Sequence, residues 1–140
     1  MDATSDLQDD EVIRRILEES RRIAVIGMKP EGAALAIPRY MARQGYEVIP
    51  VNPNYREVDE RPTVASVDAL EEEVDIVNVF RRSSAVGEHV EQIVAMEPAP
   101  RLVWLQLGVR NDRAAEQLAE AGIPVVQDKC IKVEHRRLLG

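Results

Sequence analysis

One cysteine, Cys130, leaves this sequence without an internal disulfide. Its two histidines, His89 and His135, are too few for a zinc site of several nitrogen and sulfur ligands. Five aromatic residues (Trp104, Phe80, Tyr40, Tyr46, Tyr55) do not make a stacking platform for single-stranded nucleic acid. Positive charge is also scarce: 18 Lys and Arg stand against 25 Asp and Glu, a net charge of −7. The isoelectric point is near 4.9, so the totals carry no basic footprint for nucleic acid. No apolar run approaches the roughly 20 residues that cross a bilayer. Residues 1–10 are acidic and polar, unlike a secretory leader. These absences lead us to expect a soluble cytoplasmic protein with neither a membrane nor a nucleic-acid partner.

What is present suffices for one self-supporting core. The 140 residues are 45% hydrophobic and 31% charged, an ordinary globular balance. A chain of this length needs no metal or disulfide to hold its core. We read residues 1–140 as one domain, with residues 1–8 as a flexible tail. Five short runs rich in Val and Ile punctuate it, at residues 23–26, 46–51, 74–80, 102–105 and 123–126. Their mostly continuous rather than alternating apolarity is how strands covered on both faces read.

The segments between have helical spacing. Residues 9–20 put Val12, Ile13, Ile16 and Leu17 on one stripe. Residues 84–96 do the same with Val86, Val90, Ile93 and Val94, and Ser83 or Ser84 is the expected cap. Residues 111–121 are framed by Asn111 and Gly122. A short helical piece is expected at 66–72 and a last helix at 130–139. The helix after Gly27 is expected to start near Leu35 or Ala36, which puts Pro38 in its first turn, where a missing N–H is no loss. Alternating β and α elements predict a doubly wound, Rossmann-like α/β domain. Its five-stranded parallel sheet takes the order 3-2-1-4-5, with helices on both faces.

Such sheets bind ligands at the C-terminal ends of their strands, so the loops after Ile26, Val51, Phe80, Leu105 and Val126 carry the functional reading. In Gly27-Met28-Lys29-Pro30-Glu31-Gly32-Ala33-Ala34, Gly27 permits a sharp turn and close approach to a ligand. The loop amides and the following helix N-terminus suit phosphate oxygens, Lys29 supplies charge, and Ala33, Ala34 and Ala36 keep the approach open. Any βα turn also wants a glycine. With only Gly27 and Gly32, the loop is neither G-x-G-x-x-G nor a P-loop. Where nicotinamide dehydrogenases carry an acid after the second strand, this chain has Asn52-Pro53. Asn52 fits a ribose or base contact, and equally an Asx turn. Arg56 fits a phosphate or open solvent.

Phe80-Arg81-Arg82-Ser83-Ser84 makes a local cationic spot. Its arginines suit bidentate phosphate binding, or a surface role neutralising Glu88 or Asp75. Gln106 offers a polar group at the crevice, Gly108 allows close backbone approach, and Trp104 reads as core. Cys130 reads as a nucleophile or as a structural residue opening a helix. His135, beside Glu134, reads as structural or solvent-facing. No Ser-His-Asp order and no paired carboxylates on one element suggest a catalytic set.

Taken in order, Ile26-Gly27, Val51-Asn52-Pro53, Val79-Phe80-Arg81-Arg82-Ser83, Trp104-Leu105-Gln106-Leu107-Gly108 and Asp128-Lys129-Cys130-Ile131-Lys132-Val133-Glu134-His135 resemble the small bacterial and archaeal CoA-binding proteins. These are single Rossmann-like domains similar to the N-terminal domain of the succinyl-CoA synthetase α subunit. The likeness runs over residues 9–138. It implies coenzyme A, or an acyl-CoA, lying across the strand ends. Its phosphates would meet Gly27, Met28, Lys29 and Pro30. Asn52, Pro53, Phe80, Arg81, Arg82 and Ser83 would surround the nucleotide, and the pantetheine arm would run towards Gln106 and Gly108. The first loop departs from the family, which often has Ser-Pro and then an Arg-Pro-Ser-like stretch; Glu31 is unhelpful near phosphate. The synthetase's phosphorylated histidine belongs to a further domain, so ligase activity does not carry over.

The expected function is non-catalytic binding of CoA or a short acyl-CoA. Three alternatives stand beside it: an NAD(P)-binding domain or redox sensor, an enzyme acting on CoA thioesters through Cys130, and an interaction module with a vestigial pocket.

Overall fold

A computed structural model of the chain describes residues 6–140. In chain order its strands are β1 (Arg22–Ile26), β2 (Glu47–Val51), β3 (Glu57–Val58), β4 (Arg61–Pro62), β5 (Ile76–Val79), β6 (Leu102–Leu105) and β7 (Val125–Val126). The α-helices are α1 (Asp10–Glu19), α2 (Ala33–Arg43), α3 (Val90–Val94), α4 (Asp112–Glu120) and α5 (Ile131–Leu139), with 3₁₀ turns at Val67–Ala69 and Ser83–His89. Two helices start on a side-chain cap. Asp9 accepts from the Glu11 and Val12 amides ahead of α1, and Asn111 accepts from the Ala114 amide ahead of α4.

All five apolar runs became strands of one parallel sheet, in the order β2-β1-β5-β6-β7, while β3 and β4 form a separate antiparallel hairpin. Within each strand, residues alternate between two cores. Ala24, Ile26, Val77, Val79, Val103 and Leu105 face α3, α4 and the 3₁₀ turns. Ile23, Val25, Ile76 and Trp104 face α1, α2 and α5, meeting Ile13, Leu17, Met41 and Ile131. This is the doubly wound arrangement, with helices on both faces.

The strand order needs a correction. Counted as apolar runs it is 2-1-3-4-5, because the third run pairs with β1, from Ile23↔Ile76 to Ile26↔Val79. The place outside β2 belongs to Val64. It bridges Val51 in parallel, donates its N–H to Pro50 O (3.1 Å) and accepts from Asn52 N–H (2.9 Å). Val64 stands alone between Thr63 and Ala65, so no apolar run announces that edge and the reading gave its place to the next run. The order reverses between β1 and β5, and the crevice there opens at their C-terminal ends.

Three smaller expectations also changed. α2 begins at Ala33, so Pro38 falls in its second turn rather than its first. Residues 84–96 begin as a 3₁₀ turn without a side-chain cap, because the Ser83 hydroxyl is occupied in accepting from the Arg110 amide (2.9 Å). Of the tail expected at residues 1–8, residues 1–5 lie outside the described residues. Beyond them Asp6 bridges Val125, and the Leu7 amide donates to Val125 O (2.7 Å). Among the described residues no helix is long and apolar enough to cross a membrane.

Candidate functional site

The site begins where β1 and β5 end. The Gly27 amide donates to Val51 O (2.8 Å) and the Phe80 amide donates to Ile26 O (2.8 Å), tying three strand ends together. Gly27 has φ +87°, and a Cβ on it would lie 2.3 Å from Phe80 O. Nothing but glycine fits this approach. The chain then turns through Met28, whose side chain is buried in the core on the α2 face. Its carbonyl accepts from Asn52 Nδ2 (3.0 Å), while Asn52 Oδ1 accepts from the Asn54 amide (2.9 Å). Asn52 therefore closes an Asx turn and latches the β2 end to the first loop.

Proline finishes this loop. A residue other than proline at position 38 would donate its N–H to Ala34 O. With Pro38 there, Ala34 O accepts from the Lys29 amide instead (3.2 Å). Two of the amides expected to face phosphate, those of Gly27 and Lys29, are thus spent inside the fold. The Lys29 side chain remains exposed.

Two clefts open along the strand ends and share a wall. The first, about 480 Å³, is lined by Gly27, Lys29, Asn52, Pro53, Asn54, Ser66, Phe80, Arg81, Arg82 and His89 among others. The second, about 400 Å³, is lined by Lys29, Ala33, Ala34, Ile37, Phe80, Arg81, Arg82, Gln106, Leu107, Val109 and Cys130. Lys29, Phe80, Arg81 and Arg82 belong to both, so three cationic side chains gather where the clefts meet. Neither cleft has a carboxylate in its lining, although the chain carries 25 Asp and Glu. The other grooves differ: one includes Glu47, Glu71 and Glu72, another Asp68, Glu73 and Glu97.

Arg81 is braced from behind. Its Nη1 lies 3.1 Å from His89 Nε2 and its Nη2 3.7 Å from Glu88 Oε1. Burial, and then the Arg81 charge, hold His89 below its ordinary pKa, so near neutral pH its ring nitrogen accepts from the guanidinium. Asp75, the other carboxylate considered for the arginines, instead accepts from the Arg21 and Arg22 amides and pairs with Arg101. Among the described residues, Lys29 and Arg82 have no carboxylate within 4.0 Å.

The second cleft ends on a buried amide. Gln106 Oε1 accepts from Asn78 Nδ2 (3.3 Å) and the Ile131 amide (3.3 Å), and Gln106 Nε2 has no hydrogen-bond partner. An unmade buried donor costs about 1–3 kcal/mol, so an acceptor brought to this amide would relieve that cost.

Of the residues proposed from sequence, Gly27, Lys29, Asn52, Pro53, Phe80, Arg81, Arg82 and Gln106 line the clefts. Met28 faces the core and Pro30 lines neither cleft. Ser83 Oγ is used by Arg110, and the Gly108 amide donates to Asp128 Oδ1 (2.7 Å). Asn54, Ser66, His89 and Ile37 also line the clefts, with no sequence motif to single them out. His89 is two 3₁₀ turns beyond Ser83, the residue that follows the arginines, and three-residue periodicity through 83–89 is the signal that brings it back to them. His135 is structural: it is buried, edge-on to Tyr40 and Tyr46.

Residues 21–136 match a family described as a CoA binding domain. The chain is 39% identical over 125 residues to the uncharacterized protein YneT of Bacillus subtilis (strain 168), a match covering 88% of this chain and 91% of YneT. Among solved structures, cell-free ID.343 from Thermus thermophilus superposes with a TM-score of 0.88 and 43% identity, covering 94% of this chain and 100% of that one. A hypothetical protein from Pyrococcus horikoshii OT3 superposes with a TM-score of 0.89 and 34% identity, over 100% of both chains.

Proposed function

The chain belongs to the CoA-binding domain family, and on that premise we propose that it binds coenzyme A, or a short acyl-CoA, across the two clefts without transforming it. One observation carries this reading. On a chain of net charge −7, three cations and no carboxylate line the place where a polar cleft meets an apolar one. A ligand suited to that sequence of surfaces has a nucleotide end, a pyrophosphate middle and a long, weakly polar arm. In this reading the first cleft takes the nucleotide, Lys29, Arg81 and Arg82 take the phosphates, and the arm passes Ala33, Ala34 and Ile37 to reach Gln106. A nicotinamide dinucleotide is served less well, since no carboxylate is present to hold its ribose hydroxyls and both ends of the Asn52 side chain are already bonded.

Calorimetric titration with CoA, acetyl-CoA, NAD and NADP tests the proposal. CoA or acetyl-CoA should bind and the dinucleotides should not. No heat of binding with CoA at about millimolar concentration, where affinity is worth only about 4 kcal/mol, would remove the reading.

A further inference from the structure

Cys130 lines the same cleft as the unpartnered Gln106 amide. We propose that it is the site at which this protein takes up CoA as a mixed disulfide, by thiol–disulfide exchange with bound CoA disulfide. The inference rests on the reading above and adds a covalent step to it.

Two independent observations meet here. The first is Gln106 Nε2. Its residue is 4% exposed and lines the cleft, yet this donor bonds to nothing while the other end of the amide is held twice. It calls for a carbonyl oxygen. The CoA arm ends in one, followed by the amide nitrogen, two methylenes and the sulfur. A carbonyl held by Gln106 leaves the sulfur a short, flexible reach away, within the part of the cleft that Cys130 lines. The second is how firmly Cys130 is set. It is partly exposed and unpaired, on a loop clamped from both sides. Trp104 Nε1 donates to Lys129 O (2.8 Å), the Asp128 amide donates to Val109 O (3.1 Å), and the Ile131 amide donates to Gln106 Oε1 (3.3 Å). The bond from Ile131 couples the cysteine's own neighbour to the glutamine that would hold the arm.

The step is a thiol–disulfide exchange and needs no outside oxidant beyond CoA disulfide. The Cys130 thiolate attacks one sulfur of CoA disulfide seated in the clefts. The S–S bond of the ligand breaks, a Cys130–CoA disulfide forms, and the second CoA leaves as a thiolate that takes up a proton equal to the one Cys130 lost. A low-molecular-weight thiol runs the step backwards.

The test incubates the reduced full chain with CoA disulfide and, separately, with glutathione disulfide, and follows intact mass. Adduct with one CoA per chain should form roughly tenfold faster or more than the glutathione adduct, because the clefts supply proximity. Dithiothreitol should reverse it, Cys130→Ser should lose it, and excess desulfo-CoA should slow it. Gln106→Leu should slow reaction with CoA disulfide severalfold more than it slows reaction with glutathione disulfide. Equal rates with the two disulfides, or no protection by desulfo-CoA, would overturn the proposal. Titration of the reduced wild-type chain with CoA separates the two readings. Binding without preferential adduct sinks only the exchange; no binding sinks the function on which it rests.

Discussion

At Gly27 a single hydrogen atom decides the architecture of the site. Its φ of +87° would cost any other residue about 1–2 kcal/mol, and a Cβ would press to 2.3 Å on the Phe80 carbonyl oxygen. That oxygen cannot move away cheaply, since the Phe80 amide is bonded to Ile26 O. Gly27→Ala should therefore lower unfolding stability by more than about 2 kcal/mol in chemical denaturation; a loss below about 1 kcal/mol would mean that the strand ends are looser than drawn. Arg81 is the other residue on which much depends. Arg81→Ala should weaken CoA by about 1.5–3 kcal/mol, the usual worth of a charge-assisted bond to phosphate. Arg113→Ala, exposed on α4 and in the lining of neither cleft, should leave affinity unchanged. Comparable effects from both would show that the guanidinium never meets the ligand. Both positions stand out in the sequence, as a glycine at a strand's end and an arginine pair before a turn, although each also had a plainer use there. The double commitment of Asn52 could not, since its Met28 partner is a backbone carbonyl and carries no side-chain signature.

At the scale of elements, strands β1 and β6 were legible because burial on both faces leaves an unbroken apolar run, and β5 because only Asn78 interrupts one. Val64 was not legible, because an edge held by one residue has no run to leave. Helix starts were less secure for a similar reason. The expectation that Pro38 occupies a first turn treated its missing N–H as a cost to be avoided. The fold makes use of it, and the carbonyl left free at Ala34 anchors the first loop through the Lys29 amide. This arrangement yields a local prediction. In Pro38→Ala the new amide reaches Ala34 O in the ordinary helical manner and displaces that of Lys29. Hydrogen exchange at the Lys29 amide should then accelerate by about tenfold or more, while exchange in the sheet stays as it was. Unchanged protection at Lys29 would show that the loop is held by something other than this bond.

Across the whole molecule, charge is sorted rather than balanced. Carboxylates crowd the outer grooves and helix faces, and the strand-end clefts keep three cations and exclude acids. Composition alone reveals the excess of acid and nothing of this sorting, which exists only once the sheet has brought residues 29, 81 and 82 together. The two histidines extend the same logic to pH. Burial holds His135 below its ordinary value of 6.5, and burial together with Arg81 does so for His89. In the relevant range the unfolded chain binds more protons than the folded one, so stability rises with pH. The contribution is fully present above the unfolded value of 6.5 and is lost as pH falls from there towards the lower folded values. The melting temperature should accordingly drop between about pH 7.5 and pH 5.5, before the carboxylates of Asp10 and Asp59 (held low chiefly by hydrogen bonds from Arg137 and Arg39) begin to titrate. His135→Phe keeps a ring between Tyr40 and Tyr46 but has no proton to take up, so it should flatten that slope. An equally steep slope in the variant would assign the acid sensitivity to His89 and the cation cluster it faces, where bound CoA would then shift it.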